Sequence, residues 1–419
     1  MIEVPSPEAA ATERLAAAVE DGFEAEVQFL RRLVQTRSEI PPADFGAISE
    51  AAADSLEALG FTVERHAVPE PFARQHGLKS VVNLIVRHRF GSGVGPVVAL
   101  QAHGDTVPAG SGWSLDPFAG EVLRGALWGR GAAVSKSDIA AYAFALDALR
   151  RTGEGLSGTV ELHITFDEEA GGHVGPQWLL AQGLTRPDLV IAAGFTHAVT
   201  VVHAGCLHLE IVIRGRAAHA ALPEEGADAL EAATPVLAAL YGERRRLAGI
   251  VSAEPGIGSA RLTVGTVSSG ISINVVPDRT VIRVDRRLIP EEDGEAVEAD
   301  LIRLIEAAAG DRAGIEVECR RLMLAEPLRP RPGVEDLVAL IRRKAEAVLG
   351  RPIEATGAPL YSDGRHYAAA GIPTVLYGAG PRSVTASGAY GPDERLDLAD
   401  LKAATLIVAG TLADLLRPR

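Results

Sequence analysis

Apolar and polar positions along the first half of the chain follow patterns that predict helices and buried strands. Residues 8–36 place apolar side chains at near-helical spacing and predict a long helix. Two short apolar runs, 97–102 and 160–166, predict buried strands, and polar residues follow each run directly. Strands that alternate with helices are typical of a mostly parallel sheet, so we predict an α/β fold with helices on both faces of the sheet. Open sheets of this kind bind ligands where their strands end.

The pattern changes near residue 206, where alternating strands and longer helices replace the earlier arrangement. Up to about residue 320 this second pattern predicts a compact α+β unit, and the earlier pattern then returns. The simplest account is one discontinuous α/β domain, formed by residues 1–206 and 321–419, with an inserted α+β domain at residues 207–320.

Composition and charge indicate a globular protein and exclude several partners. Of the 419 residues, 47% are hydrophobic and 23% are charged, which is ordinary for a soluble protein. The net charge of −14 comes from scattered acidic residues, so we expect no nucleic-acid partner. No run of about 18 apolar residues occurs, so we expect no membrane partner. Cys206 and Cys319 lie far apart and no secretory signal is recognisable, which predicts a cytoplasmic location.

Short motifs occur in a characteristic order along both predicted domains. They are Ala102–Pro108, Leu127–Ala132, Thr165–Gly172, Gly215–Ala220, Ile273–Asp278, Asp285–Pro290, Ser362–Tyr367 and Gly371–Pro373. Each motif is weak alone, but their order and spacing together resemble the zinc-dependent aminoacylase, carboxypeptidase G and succinyl-diaminopimelate desuccinylase family. The resemblance implies that the α/β domain is catalytic and that the insert is a lid that forms a homodimer.

The resemblance also implies a role for each of several residues at the first two strand ends. In such enzymes two zinc ions share a bridging carboxylate and activate a water for attack on an amide. His103 and Glu169 match metal ligands, and Asp105 matches the aspartate that orients His103. Glu168 matches the general base that takes the proton of the water. His103 and Asp105 are therefore catalytic candidates together with Glu168.

In the insert the resemblance implies one further catalytic residue and two residues that bind the substrate. His219 matches a donor to the developing oxyanion. Asn274 and Arg287 match residues that hold the carboxylate of the substrate, and an arginine can do so through two parallel hydrogen bonds. The expected substrate is therefore a small molecule that carries a carboxylate.

Three of the five metal-ligand positions implied by the resemblance carry unsuitable residues. Val134 replaces the bridging aspartate, Gly194 replaces a carboxylate, and Tyr390 replaces the last histidine. Valine and glycine have no ligand atom in their side chains, and the tyrosine hydroxyl has a pKa of about 10. We therefore expect no two-zinc site, and either no metal or a single divalent ion such as zinc, cobalt or manganese.

Other side chains are available to rebuild or to replace the lost part of the site. A single ion could instead recruit Asp138, His197, Asp363 or His366. Lys136 and Tyr390 are candidates for substrate binding. Ser135 beside Lys136 raises the alternative of an activated serine nucleophile. We favour instead a helix N-terminus in which Ser137 caps a helix that opens at Asp138.

The sequence is compatible with three different functions. The first is an enzyme that cleaves the C–N bond of an N-acyl amino acid or dipeptide-like compound, with Glu168 as general base. A metal-free lyase or another base-catalysed enzyme on the same scaffold is an alternative to hydrolysis. The second function is that of a protein that binds a small carboxylate without turnover, and the third is that of a structural partner of an active relative. The retained base position favours an enzyme.

Overall fold

A mixed eight-stranded sheet is the largest sheet of the computed structural model, which describes residues 7–418. The strands are β1 Val63–Ala67, β2 Val82–Phe90, β3 Val97–His103, β4 Glu121–Leu123, β5 Ala126–Trp128, β6 Gly158–Thr165, β7 Leu189–Ala192, β8 Ala198–His203, β9 Gly205–Arg214, β10 Arg261–Ser269, β11 Arg279–Leu288, β12 Glu316–Ala325, β13 Glu354–Ala358, β14 Thr374–Leu376 and β15 Arg395–Asp397. The α-helices are α1 Pro7–Gln35, α2 Gly46–Ala58, α3 Glu70–Gln75, α4 Lys136–Thr152, α5 Pro176–Ala181, α6 Ala229–Leu247, α7 Gly294–Ala309, α8 Val334–Leu349, α9 Gly364–Ala369, α10 Val384–Ser387 and α11 Leu398–Leu415.

Strand order in the large sheet is β1-β2-β6-β3-β7-β14-β8-β13. The central strands β6, β3, β7 and β14 pair in parallel, and β1, β2 and β8 pair antiparallel to their neighbours. Helices cover both faces, so the predicted mostly parallel α/β fold is confirmed. A small sheet of β15, β5 and β4 stands apart from the large one.

The core of this region lies between the sheet and the packed helices α1, α4 and α11. Helix α4 is buried along almost its whole length, from Lys136 to Leu149. The sequence analysis did not predict α11, although it has 18 residues. Apolar residues lie on nearly all sides of α11, so no helical period of apolar and polar positions marks it. Between residues 7 and 418, every helix is too short or too polar to span a bilayer.

The chain divides into two compact units. The second unit comprises Val202–Arg329 and Gly357–Tyr361, and the first unit comprises the remaining described residues. In the second unit, β10, β11, β9 and β12 form an antiparallel sheet in that order, and α6 and α7 pack against β9. The predicted insert, residues 207–320, lies inside the second unit, and its boundaries as an independent domain stay a prediction.

The structure locates the first residue of two helices, and one of them differs from the sequence prediction. Helix α4 begins at Lys136, after Ser135, and Ser137 lies inside the first turn, so the predicted cap at Ser137 is wrong. Helix α6 begins at Ala229 because the side chain of Asp228 accepts hydrogen bonds from two backbone amides of the first turn. The pattern of apolar residues locates a helix well but does not specify which polar residue turns toward its free amides.

Candidate active site

The carboxyl ends of two central strands bring the first predicted site residues together. β3 and β6 run in parallel with His103 opposite Thr165, so both strands end at the same edge of the sheet. β3 ends at His103, and a short 3-10 helix, Glu168–Ala170, follows β6. His103 Nε2 lies 3.9 Å from the carboxylate oxygen Oε2 of Glu168, and both side chains are buried.

Asp105 connects the two strand ends through its two carboxylate oxygens. Oδ1 lies 3.2 Å from His103 Nδ1, and Oδ2 accepts a hydrogen bond from the backbone amide of Glu169 at 3.0 Å. Asp105 itself is fully buried, so these two contacts are not weakened by water. The contact at Nδ1 turns Nε2 of the imidazole toward Glu168. Asp105 therefore lies against His103 Nδ1, and its role in orienting a catalytic histidine stays a prediction.

Burial and charge both change the pKa values in this cluster. Burial alone lowers the pKa of His103, but the carboxylates of Glu168, Asp105 and Glu169 outweigh it and hold that pKa well above its usual value. Burial raises the pKa of Glu168 well above its usual value, and the His103 charge opposes this effect. Burial also raises the pKa of Glu169 to about 7. The pKa values of the imidazole and of both glutamates are thus all raised, that of the imidazole by the carboxylate charges and those of the glutamates by burial.

The sequence analysis missed a fourth carboxyl group, Asp167, next to these residues. Its Oδ2 accepts a hydrogen bond from the Val174 amide at 2.6 Å, and the side chain is buried. Burial and the nearby Asp363 raise its pKa well above the usual value. The signal in the sequence was the run of three acidic residues, of which only Glu168 and Glu169 matched motif positions. The hydrogen bond from the Val174 amide to Asp167 therefore stabilises the loop that follows β6.

In the second unit, His219 and Asn274 lie on neighbouring loops. The Ala220 amide donates to the Asn274 backbone carbonyl at 3.0 Å, and His219 forms an isolated bridge with Val275. His219 Nδ1 accepts a hydrogen bond from the Ala221 amide. Both His219 and Asn274 are exposed, so these two predicted binding residues are together and accessible.

Arg287 lies far from that pair. β11 begins at Arg279, just after the Asn274 loop, and Arg287 is near its other end. Eight residues of strand at about 3.4 Å each span about 27 Å. Arg287 Nη2 and Nε donate to the Asp285 carboxylate at 3.0 and 3.2 Å. One chain therefore does not place Asn274 and Arg287 on the same small carboxylate.

Comparison with known proteins identifies the family of this chain. A model of peptidase family M20/M25/M40 matches residues 99–414. The chain belongs to this family. The succinyl-diaminopimelate desuccinylase of Rhodospirillum rubrum is 30% identical over 393 residues, which cover 89% of this chain and 94% of that protein. The resemblance predicted from the motifs is confirmed, and the chain is an M20-family hydrolase.

Solved structures show the same fold at low sequence identity. A di-peptidase from Saccharomyces cerevisiae superimposes with a TM-score of 0.78 at 14% identity, over 97% of this chain and 99% of that chain. A Bacillus subtilis protein described as a dinuclear metal binding peptidase from the M20 family superimposes with a TM-score of 0.64 at 19% identity, over 95% and 99% of the two chains. The architecture of the M20 family is therefore retained around the altered ligand positions.

The ligand positions at Val134 and Tyr390 border one small cavity of the M20 fold. The cavity has a volume of about 10 Å³, and Glu169 and Arg130 also line it. This is about the size of one water molecule. The Tyr390 hydroxyl donates a hydrogen bond to the Glu169 carboxylate, which favours the ionised form of Glu169. The family resemblance implies metal ligands at all three positions. In this chain they hold Val134 and the hydrogen-bonded pair of Tyr390 and Glu169.

The third altered position, Gly194, is closed by backbone atoms. A Cβ atom built on Gly194 would lie 2.6 Å from the carbonyl carbon of Leu376 and from the amide nitrogen of Tyr377. No side chain fits there unless the backbone moves. Three His, Cys, Asp or Glu side chains whose ligand atoms all lie within 4.8 Å of one another could hold a metal ion. Among the described residues, neither His103 nor Glu169 belongs to such a group. These residues do not fit a two-zinc centre.

Two of the proposed replacement ligands are engaged elsewhere. Asp138 Oδ1 accepts a hydrogen bond from the Ala379 amide at 2.7 Å, and burial raises the pKa of Asp138 to about 7. His197 Nε2 lies 2.8 Å from Asp400 Oδ1. Recruitment of either side chain by a metal would first break these contacts.

The other two candidates also have neighbours of their own. Asp363 Oδ2 accepts hydrogen bonds from Gln101 at 3.0 Å and from Thr165 at 3.2 Å. His366 Nε2 lies 3.0 Å from the Gly171 carbonyl oxygen. These contacts hold the loop after β6 and do not complete a ligand set with His103 and Glu169.

Lys136 is placed away from solvent. Its amine donates to the backbone carbonyls of Leu33 and Thr36, both at 2.9 Å, and the side chain is fully buried. Burial lowers the pKa of Lys136 to about 7. The amine therefore satisfies carbonyls at the end of α1, and its predicted role in substrate binding stays a prediction without support from this geometry.

Proposed function

We propose that this chain hydrolyses the amide-type C–N bond of a small, carboxylate-bearing N-acyl compound, with Glu168 as general base and without a two-zinc centre. The observation that carries the proposal is the single carboxylate of Asp105, which holds His103 and the Glu168–Glu169 turn at once. Loss of the ligands at Val134, Gly194 and Tyr390 left this acid–base cluster intact.

The proposed reaction needs one proton acceptor and one proton donor. Glu168 takes a proton from water while the water oxygen bonds to the amide carbon. The C–N bond then breaks, and Glu168 returns the proton to the leaving nitrogen, which gives a carboxylic acid and an amine. Protonated His103, 3.9 Å from Glu168, stabilises the negative charge that develops on oxygen. Without a metal, such a site favours an activated or strained amide.

The positions of Asn274 and Arg287 lead us to propose a homodimer through the second unit as well. Asn274 and Arg287 lie at opposite ends of β11, so a second copy is needed if both act on one substrate carboxylate. β10 is an edge strand, and Val267, Ile271 and Ile273 expose large apolar side chains on it or just after it. We therefore propose pairing along this edge, with a dimeric mass in sedimentation equilibrium as the expected result.

The first experiment is an amine-release assay on N-acetyl and N-succinyl amino acids with protein kept in a chelator. We expect turnover in the chelator and a loss of kcat by about 10²- to 10⁴-fold in Glu168→Gln, because the base is removed. Glu121→Gln is the matched control, since Glu121 is an exposed glutamate on β4. It should retain the wild-type rate.

Two outcomes would overturn the proposal. Absence of turnover on every N-acyl amino acid, with and without added zinc, would leave a protein that only binds ligands or serves as a structural partner. Turnover that requires zinc and is lost in His103→Asn would show that the strand edge still holds a metal.

A further inference from the structure

Three side chains of metal-binding type converge in the second unit. Cys206 and His208 are two residues apart on β9 and so point to the same face of the sheet. Asp285 on β11 is the direct antiparallel partner of His208. Each of the three residues offers one ligand atom, and these three atoms all lie within 4.8 Å of one another. Among the described residues, no other three His, Cys, Asp or Glu side chains are arranged in this way.

The distances between these atoms suit tetrahedral coordination. Cys206 Sγ lies 3.6 Å from Asp285 Oδ1, and His208 Nε2 lies 3.5 Å from Asp285 Oδ2. In a tetrahedral zinc site with bonds of about 2.0 to 2.3 Å, neighbouring ligand atoms are about 3.3 to 3.8 Å apart. One thiolate, one imidazole and one carboxylate can therefore meet a single ion with small side-chain movements.

The surroundings leave one side of this group open. Cys206 is fully buried and packs with Met323, Ala325 and Tyr361. The side chains of His208 and Asp285 are 37% and 31% exposed. An ion bound by these three residues would keep a fourth position toward solvent, as catalytic zinc sites with three protein ligands do.

Arg287 orients the carboxylate without blocking it. Its guanidinium donates to Oδ2 of Asp285, whereas the thiol of Cys206 lies against Oδ1. Oδ1 is therefore the oxygen that Arg287 leaves available to an ion, and His208, whose Nε2 lies against Oδ2, would have to move toward it. A thiolate and a carboxylate together carry two negative charges, of which the carboxylate charge also faces the Arg287 guanidinium.

We propose that Cys206, His208 and Asp285 form a site for one divalent transition-metal ion of the zinc type, distinct from the M20 ligand positions. The sulfur ligand selects zinc or cobalt over magnesium and calcium, which prefer oxygen ligands. Binding displaces the thiol proton, so uptake of metal releases a proton into solution.

The test is metal binding by the full-length protein, read without any activity assay. Protein stripped with a chelator, incubated with zinc and then dialysed should retain about one equivalent of zinc, whereas the same protein incubated with magnesium should retain none. Cobalt should produce a thiolate-to-cobalt charge-transfer band in the near ultraviolet. We expect Cys206→Ser to abolish that band and to weaken zinc binding at least tenfold, and His208→Asn to weaken it similarly.

Two controls separate the alternatives. Cys319→Ser removes the other cysteine, which is on β12, and should leave the cobalt band unchanged. His103→Asn alters the strand edge of the first unit and should also leave it unchanged. The proposal is overturned if wild-type protein retains no zinc, or if Cys206→Ser, folded by circular dichroism, binds zinc as the wild type does. A band lost in His103→Asn and kept in Cys206→Ser would likewise overturn it.

Discussion

Arg130 and Glu394 form a buried ion pair, with Arg130 Nη1 2.6 Å from Glu394 Oε2 and both side chains 2% exposed. The other carboxylate oxygen of Glu394, Oε1, accepts a hydrogen bond from the backbone amide of Ala133 at 2.9 Å. Arg130 Nη2 also donates to the carbonyl of Gly391, the residue after Tyr390. The pair thus fixes the turn that carries Val134 to the segment that carries Tyr390, and it forms a part of the site that the sequence analysis missed.

Breaking this pair should be costly. In Arg130→Met the Glu394 carboxylate stays buried without its cation, so we expect a loss of about 3 to 5 kcal/mol in the free energy of unfolding, measured with urea. The control is Arg303→Met, which removes an exposed pair with Asp300 and should cost less than about 1 kcal/mol. Equal losses in the two variants would contradict a structural role for the buried pair.

Gly194 should not tolerate even a methyl group. The Cβ atom of Gly194→Ala would lie 2.6 Å from backbone atoms of Leu376 and Tyr377, so two strand ends must separate. We expect a loss of about 1 to 3 kcal/mol in the free energy of unfolding. Gly242 lies inside α6, and a Cβ atom there would have the side-chain nitrogen Nη2 of Arg245 as its nearest neighbour beyond the helix backbone, at 3.9 Å. Gly242→Ala should therefore stabilise the protein by about 0.5 to 1 kcal/mol. A neutral Gly194→Ala would mean that the ligand position is open.

Glu26 should make stability fall as the pH rises. Burial raises its pKa from 4.5 to about 8, and Thr405 donates to its Oε1 at 2.5 Å. Below pH 4.5 Glu26 is protonated in both the folded and the unfolded protein. Between about pH 4.5 and 8 only the unfolded state ionises, so increasing pH favours unfolding. Glu26→Gln should flatten this slope and gain up to about 3 kcal/mol over the wild type by pH 8. If urea titrations showed that the free energy of unfolding changes with pH in the same way in the wild type and in Glu26→Gln, this prediction would be wrong.

Lys136 should have the opposite pH dependence in a different range. Burial lowers its pKa from 10.5 to about 7, so between these values the unfolded state holds a proton that the folded state lacks. Increasing pH then favours the folded state. Relative to Lys136→Met, the wild type should gain up to about 3 kcal/mol from pH 7 to pH 10. A difference that does not change with pH would show that the amine is solvated and available to substrate.

Much of the fold followed from local patterns in the sequence. Buried strands such as β3 and β6 read as short apolar runs, and the polar residues after them predicted the edge where His103 and Glu168 meet. Helix α11 was missed because it is apolar on nearly all sides. Lys136 and Arg130 could not be placed from sequence, because a motif gives their position in the chain and not the carbonyls or carboxylates that they reach.

The sequence alone determined the family, and it predicted that Val134 and Gly194 cannot hold zinc, because valine and glycine carry no ligand atom in any fold. Only the tertiary structure decided what those positions became, since the hydrogen bond from Tyr390 to Glu169 joins segments far apart in the chain. The group of Cys206, His208 and Asp285 depends in the same way on strand register. Cys206 and Asp285 are 79 residues apart, and only the pairing of β9 with β11 makes them neighbours.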